Sequence, residues 1–540
     1  MSITKTKRPA KRQLGQFLTP PEVAARLVAE LPLKAKDTVL EPSLGDGSFV
    51  LPLIERFMEL HRGSTKKRLE RVLARNIAGI EIDRALHRRC LLRIEERWGF
   101  LPEAHSLRQG DFFREPETRA FDWIVGNPPF GGTIALDLQD ELDRLYGFRN
   151  GEKIKKETYS FFIVKSLDLL APRGRIRFIC SDTFLTINTM RGLRALLMRE
   201  GRVSIRALED FSEETAYPMV VLDFERASPA PFVSVEGKRL PREAIEKTEN
   251  LSWRITPELQ RYFGGPTLGD FVIATSGMTI GKNELFLKEI EDGAIEERYR
   301  YEFFEDPIRL ERERERARLG YLSPRKEAEI RELEARGATR RNVRVVPLER
   351  PHRVELPHPD YRPYNKAIPG AVVYATPKTA IFWKDEGDAV LTFKKNGNWY
   401  LHGVGGKPFF GREGITWPLV ASRLHARYLP AGSILDSGAP CAFLRERVPE
   451  DELYLILAFA LSPLCERLLK QVINHTKNIQ GKDFERLPYP SWVPEKERRS
   501  ISREMRALVA RTISGGEMTR SDPRLDSIVR RFCRDALYLA

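Results

Sequence analysis

The run Asn127-Pro128-Pro129-Phe130 carries the most specific chemistry in this sequence. It follows a short apolar stretch, and each proline fixes its own φ and restricts the residue before it. The tandem therefore holds the Asn127 side chain and the neighbouring carbonyls in one geometry. An amide oxygen from Asn127 and the carbonyl of Pro128 could then accept both protons of an exocyclic amino group. That reduces delocalisation of the nitrogen lone pair into its ring and aims it at an electrophilic methyl group, with no strong base or metal required. Phe130 would stack on the planar substrate, as an aromatic does in a pocket that receives a flipped base.

A second set of residues suits a nucleotide-like ligand. Glu41-Pro42-Ser43-Leu44-Gly45-Asp46-Gly47 follows an apolar run and opens an amphipathic one, so its glycines permit a tight turn and close backbone approach. The next apolar run ends in Gly79-Ile80-Glu81-Ile82-Asp83, placing Glu81 where such folds hold ribose hydroxyls and Asp83 where it can cap a helix. A third ends in Gly110-Asp111-Phe112-Phe113, a carboxylate able to accept from an adenine amino group beside an aromatic face. Each alone is explicable as a turn, a cap or a core aromatic; three successive strand ends bearing ligand chemistry are harder to explain that way.

Positioning these residues requires alternating strands and helices. Candidate strands are Thr38–Glu41, Ala78–Ile82, Ser106–Gln109, Trp123–Gly126, Ile176–Cys180, Ser204–Ala207 and Val220–Phe224, with helices at Ser48–Arg62, Arg84–Trp98, Ser160–Leu170 and Met190–Arg199. The alternation predicts a doubly wound α/β domain with a mostly parallel sheet. After Arg226 the pattern stops at a linker-like ASPAPF run, which predicts a boundary near residue 228 and a second domain over about 250–540. Within it, Arg and Glu at helical spacing predict a charged helical insertion at about 300–345.

Composition bounds the function. The 540 residues, 41% hydrophobic and 31% charged, exclude a single small module and a disordered chain. Lys and Arg number 90 against 76 Asp and Glu, a formal charge of +14 that favours a polyanionic partner, nucleic acid first. No apolar run approaches a membrane span and the N-terminus lacks a signal-peptide core, so a cytoplasmic location is expected. The five cysteines are scattered without a CxxC, which predicts neither a disulfide framework nor a metal site. Asp223 with Glu236-Gly237-Lys238 has the form of a carboxylate-lysine nuclease signature, a pattern short enough to arise by chance.

The Asn-Pro-Pro-Phe turn resembles that of the N6-adenine amino-methyltransferases, and Gly15-Gln16-Phe17-Leu18-Thr19-Pro20-Pro21 is similar to their N-terminal motif. The motif order, with one large C-terminal region, resembles the gamma group of DNA amino-methyltransferases. The resemblance covers roughly the first 225 residues. It implies a Rossmann-like class I methyltransferase domain over 1–228 and S-adenosyl-L-methionine as cofactor. Phe17, Thr19 and Pro20 would lie against its methionine part, with Glu41, Pro42, Gly45 and Gly47 as the cofactor loop, Glu81 on the ribose, and Asp111 with Phe112 at the adenine. Asn127, Pro128, Pro129 and Phe130 would be catalytic. A second aromatic, Phe211 or Tyr217, would stack on the far face of the flipped base.

Three later fragments, at 268–287, 411–418 and 473–490, look like the target-recognition domains fused to gamma-group enzymes, which implies a mixed α+β recognition domain. Gly277, Gly281, Lys282 and Asn283 would approach phosphates, and His475, Lys477, Asn478 and Gln480 would face DNA; a hairpin turn and a helix cap explain the same residues almost as well. The resemblance implies adenine-N6 methylation of double-stranded DNA in restriction-modification or phage defence, with a cognate restriction or defence protein as a further partner. Methylation of a protein glutamine amide and a non-catalytic DNA-binding specificity subunit remain as alternatives. Cytosine-N4 methylation is chemically close, but that group usually has Ser where this chain has Asn127.

Overall fold

A computed structural model of the chain describes residues 18–115, 119–129, 136–208, 218–251, 254–280, 282–305, 341–368, 370–393, 404–515 and 518–533. The chain divides into two units, Met1–Phe263 and Gly264–Ala540.

In the first unit the short apolar runs become the centre of a sheet. Its strands are β1 (Val39–Glu41), β2 (Ile77–Glu81), β3 (Ser106–Gln109), β4 (Phe121–Gly126), β7 (Leu170–Ser181), β8 (Gly201–Leu208), β9 (Met219–Arg226), β10 (Phe232–Val235) and β11 (Lys238–Pro241); β5 (Phe148–Arg149) and β6 (Glu152–Lys153) form a separate small hairpin. The nine-stranded order is β11-β10-β8-β9-β7-β4-β1-β2-β3. β1 runs parallel to both neighbours, with Val39 opposite Ile77 on one side and Trp123 on the other. β9 is antiparallel between β7 and β8. The chain passes from β1 to β2 in one direction and later returns to β4 on the other side of β1. The crevice beyond the carboxyl ends of β1 and β4 is thus a topological switch point, the place where open α/β sheets bind ligands.

The helices are α1 (Pro21–Ala29), α2 (Val50–Leu60), α3 (Thr65–Arg71), α4 (Arg84–Trp98), α5 (Leu136–Tyr146), α6 (Thr158–Asp168) and α7 (Arg191–Glu200). α4 has the expected limits because its ends are local: Asp83 Oδ1 accepts the N–H groups of Ala85 and Leu86, and Gly99 closes the helix in a left-handed conformation. α3 and the π turn that follows it, Val72–Asn76, have no counterpart among the expected elements.

Two expectations are corrected. The 228 boundary falls too early, because β10 and β11 extend the same sheet, Ser234 pairing in parallel with Ser204 of β8, and the division lies at 263/264. A four-residue strand followed by a tight turn is too short to show a helix or strand period, so the sequence pattern fades before the domain does.

The second unit contains β12 (Val272–Thr275), β13 (Leu287–Glu289), β14 (Ala294–Glu305), β15 (Arg341–Glu355), β16 (Tyr361–Asn365), β17 (Thr379–Phe382), β18 (Gly414–Thr416), β19 (Arg427–Leu429), β20 (Ile434–Leu435) and β21 (Cys441–Leu444). They form two four-stranded sheets, β12-β21-β18-β19 and β13-β17-β16-β20, and the ribbon β14-β15. Helices follow from Asp451–Ala460 to Pro523–Val529, making the unit mixed α+β. Here the second correction falls. The flanks of the expected helical insertion, 300–305 and 341–345, are strands of that antiparallel ribbon, and the segment between them lies outside the described residues. Tyr301, Phe303, Val343 and Val345 alternate towards a core, and that two-residue period outweighs the helical spacing of the neighbouring charges.

Candidate functional site

Glu41 ends β1 as a buried carboxylate, and its Oε2 has no hydrogen-bond partner among the described residues. Burial, then the nearby charges of Glu81 and Asp46, push its carboxyl well above the usual carboxylate range. The chain turns beyond it through Gly45 at φ +56° and Gly47 at φ +90°, left-handed conformations that favour glycine. A Cβ on Gly47 would lie 2.7 Å from the Cys90 Sγ and 2.9 Å from Leu51. Pro42 is buried beside Glu41.

Glu81 holds this loop from the end of β2. Its Oε2 accepts the Gly45 N–H at 2.8 Å and its Oε1 accepts the Asp83 N–H at 2.8 Å. The carboxylate thereby orients the loop through two main-chain N–H groups. Two further supports escaped sequence reading. Gly79 leaves room for Leu44, whose Cδ2 would stand 2.7 Å from any Cβ there. Arg93 of α4 donates to the Asp46 carbonyl at 3.0 Å and pairs with its carboxylate at 3.3 Å. The Gly79 signal was available as a glycine inside a strand, whereas nothing in the spacing singles out Arg93 among the arginines of α4.

The N-terminal motif reaches the same loop. The Leu18 side chain lies 3.3 Å from where a Cβ on Gly45 would stand, Thr19 is buried, and the Pro20 carbonyl accepts the Val23 and Ala24 N–H groups to start α1. Phe17 lies outside the described residues.

After β3, the half-buried Asp111 accepts the Phe113 N–H at 2.9 Å. Phe112 corrects an expectation: only 3% exposed, it offers no open face to a ligand. Its ring packs 4.9 Å from Phe162 of α6, with the Lys165 Nζ 4.7 Å above it. Lys165, also unforeseen, donates to the carbonyls of Phe112, Phe113 and Glu115, fixing this loop from α6.

The turn after β4 abuts the glycine-bearing loop after β1. Gly126 sits at φ +151°, where a Cβ would meet the Glu41 Cγ at 3.4 Å. The Ser43 hydroxyl donates to the Asn127 carbonyl at 3.2 Å. Asn127 and Pro129 are half-buried and Pro128 is buried, while Phe130, Phe211 and Tyr217 lie outside the described residues. Asp223, the carboxylate of the nuclease-like pattern, is clasped by the Arg177 guanidinium at 2.6 and 3.2 Å, and Gly237 merely turns the β10-β11 hairpin.

In the second unit the fragments 268–287, 411–418 and 473–490 pack together. Trp417 is buried, stacks 4.5 Å from Phe484 and donates to the Ile479 carbonyl at 3.0 Å. Phe271 stacks 3.8 Å from Tyr489, and the Leu268 N–H donates to the Leu487 carbonyl at 2.7 Å. This core presents Lys477 and Asn478 at the surface and leaves His475 half-buried. Gln480 caps the helix Gly481–Glu485 in a reciprocal box with Asp483. Asn283 is exposed at the start of a four-residue helix, Lys282 pairs with Glu284 at 2.8 Å, and Gly281 lies outside the described residues. Gly277 is a correction. It is buried, its N–H donates to the Asp436 carbonyl, and a Cβ would stand 2.0 Å from the Leu435 carbonyl, so the lack of a side chain here lets two backbones pass closely.

Comparison with known proteins agrees with this geometry. Residues 88–216 match the family described as Eco57I restriction-modification methylase. The Type II methyltransferase M.BstVI of Geobacillus stearothermophilus is 33% identical over 204 residues, 34% of this chain and 36% of that protein. M.TthHB8I of Thermus thermophilus is 29% identical over 222 residues, 40% of this chain and 46% of that protein. The chain thus matches between a third and a half of the length of these relatives. Among solved structures, the DrdV–DNA complex resembles 92% of this chain and 58% of its own at a TM-score of 0.53 and 15% identity. The Type IIL restriction-modification enzyme MmeI with DNA resembles 98% of this chain and 73% of its own at 0.50 and 11%. Those likenesses extend the shared fold across both units. Residues 88–216 are thus similar to the restriction-modification methylases of the Eco57I description, and they lie in the unit whose sheet builds the switch-point crevice and its glycine loop.

Proposed function

We propose that this chain is a site-specific DNA methyltransferase of the gamma arrangement that methylates the N6 amino group of adenine in duplex DNA, using S-adenosyl-L-methionine. We further propose a restriction-modification or phage-defence setting, a cytoplasmic location, and a cognate restriction or defence protein as partner. The observation that carries the reading is the contact between the two loops: Ser43 of the glycine-bearing loop donates to the carbonyl of Asn127 in the Asn-Pro-Pro turn. Donor and acceptor sites for one group transfer lie side by side at the switch point.

The residues fit the proposed cofactor. It carries positive charge at its sulfur and its amino group, and Glu41 offers a buried carboxylate oxygen without a partner among the described residues. Glu41, Gly45 and Gly47 would hold its amino-acid part, with Glu81 at the ribose and Asp111 at the adenine. The bound group supplies an electrophilic methyl. The chain's own part is to orient: the Asn127 amide oxygen and the Pro128 carbonyl accept the two amino protons of the extruded adenine and keep its nitrogen lone pair pointed at that methyl. Phe130, with Phe211 or Tyr217, would stack on the base. Expected phosphate and groove contacts are Lys282, Asn283, His475, Lys477, Asn478 and Gln480.

Long-read sequencing of DNA from cells expressing the chain tests this directly. N6-methyladenine at one sequence context, lost in Asn127→Ala, is the expected result. Unmodified DNA together with a methylated protein glutamine would sink the reading.

A further inference from the structure

Val420 is a large apolar side chain left 69% exposed. Its backbone is nevertheless firmly held. Val420 bridges Asn478 in antiparallel pairing, the Ala421 N–H donates to the Lys477 carbonyl at 2.8 Å, and the Ile479 N–H donates to the Leu419 carbonyl at 2.7 Å. Behind this ledge the Lys470 Nζ donates to the carbonyls of Thr476 at 2.6 Å and Ala421 at 3.4 Å. Asn474 accepts from both the N–H and the hydroxyl of Thr476. Directly paired residues put their side chains on the same face, about 4.5–5.5 Å apart at Cβ. Val420 and Asn478 therefore stand side by side, both exposed, on a support that costs little further entropy to order on binding.

Residues 418–426 and 474–480 contain no Asp or Glu; Arg423 pairs with Glu466 at 3.1 Å, and Lys477 is exposed beside Asn478. A rigid amide next to a rigid methyl-bearing side chain, with an exposed lysine adjoining the amide, matches the major-groove edge of one base pair. Adenine presents N7 and N6–H to an Asn, and its paired thymine presents a 5-methyl group to an apolar side chain.

Resting on the methyltransferase reading above, we propose that Val420 and Asn478 together read a single A·T pair of the recognition sequence through the major groove, Asn478 on the adenine edge and Val420 on the thymine methyl. Lys477 flanks them as a phosphate contact.

The test uses the full chain and duplexes carrying the mapped methylation site. Each thymine in turn is replaced by deoxyuridine, which removes only the methyl, and each adenine by 7-deazaadenine, which removes only the N7 acceptor. One base pair should respond to both. Deoxyuridine there should weaken wild-type binding about three- to fivefold, the worth of one buried methyl, and have no effect on Val420→Ala. Asn478→Ala should lose about ten- to a hundredfold in affinity and become indifferent to 7-deazaadenine at that same pair. Unchanged cofactor affinity and melting in both variants confirms that the fold is intact. A wild-type chain that methylates its site but ignores every deoxyuridine overturns this proposal alone. So does full deoxyuridine sensitivity in Val420→Ala, or a Val420→Asp variant with unaltered DNA affinity, which would give the ledge to a protein partner. A wild-type chain that binds no duplex overturns the methyltransferase reading and this proposal with it.

Discussion

The main-chain N–H of Gly45 donates to Oε2 of Glu81 at 2.8 Å, tying the loop after β1 to the end of β2. A buried carboxylate that accepts two backbone N–H groups sets the loop before any ligand arrives, which lowers the ordering cost of binding.

Glu81→Gln keeps the shape but turns one acceptor oxygen into an N–H donor, facing the N–H of either Gly45 or Asp83. Leaving a buried donor unmatched costs about 1–3 kcal/mol. Calorimetry should show S-adenosyl-L-methionine binding weakened roughly ten- to a hundredfold, and an unaltered affinity would remove Glu81 from the site.

Gly47 has no space for a side chain, because Cys90 of α4 occupies it. Gly47→Ala should lose cofactor affinity through both the collision and the positive φ, a strain of about 1–3 kcal/mol. Adding Cys90→Ala should recover part of the affinity but not all, since the backbone strain persists. No recovery at all would mean the contact with Cys90 is irrelevant.

Glu41 gives the cofactor-free protein a pH dependence. Its folded carboxyl is raised above the unfolded value, so the folded chain binds the extra proton. The associated stability is fully present below the ordinary carboxylate range and is lost as pH rises through the raised folded value. Melting temperatures of wild type and Glu41→Gln should therefore diverge with rising pH, the variant holding its stability longer. Saturating S-adenosyl-L-methionine should shrink the difference by giving the ionised carboxylate a cationic partner. Parallel melting curves would contradict a buried, proton-binding Glu41.

Asn127→Ala removes one acceptor for the target amino group while the Ser43 contact, made to the main chain, is retained. Single-turnover methylation should fall about 10²–10³-fold, with cofactor and DNA affinities near wild type. A wild-type rate would move catalysis off this turn.

Much of the first unit was legible in the sequence because its determinants are local. Asp83 and Gly99 delimit α4 wherever they occur, and Gly45 and Gly47 mark a turn that other residues adopt only under strain. The placement of ligand chemistry at the ends of β1, β2, β3 and β4 follows from strand order, since short apolar runs alternating with helices build a parallel sheet whose loops gather at one edge. The tertiary structure decided what depends on neighbours distant in the chain. Phe112 and Phe113 are indistinguishable as letters, and it is Phe162 and Lys165, some 50 positions on, that bury the first and leave the second half-buried. Gly277 reads only as one glycine of a turn, whereas the Leu435 carbonyl against it comes from a segment far along the chain. The exposed pairing of Val420 with Asn478 spans 58 residues and has no signature in either segment. Periodicity and turn chemistry record only a residue's own backbone, whereas burial and pairing are properties of two chain segments at once.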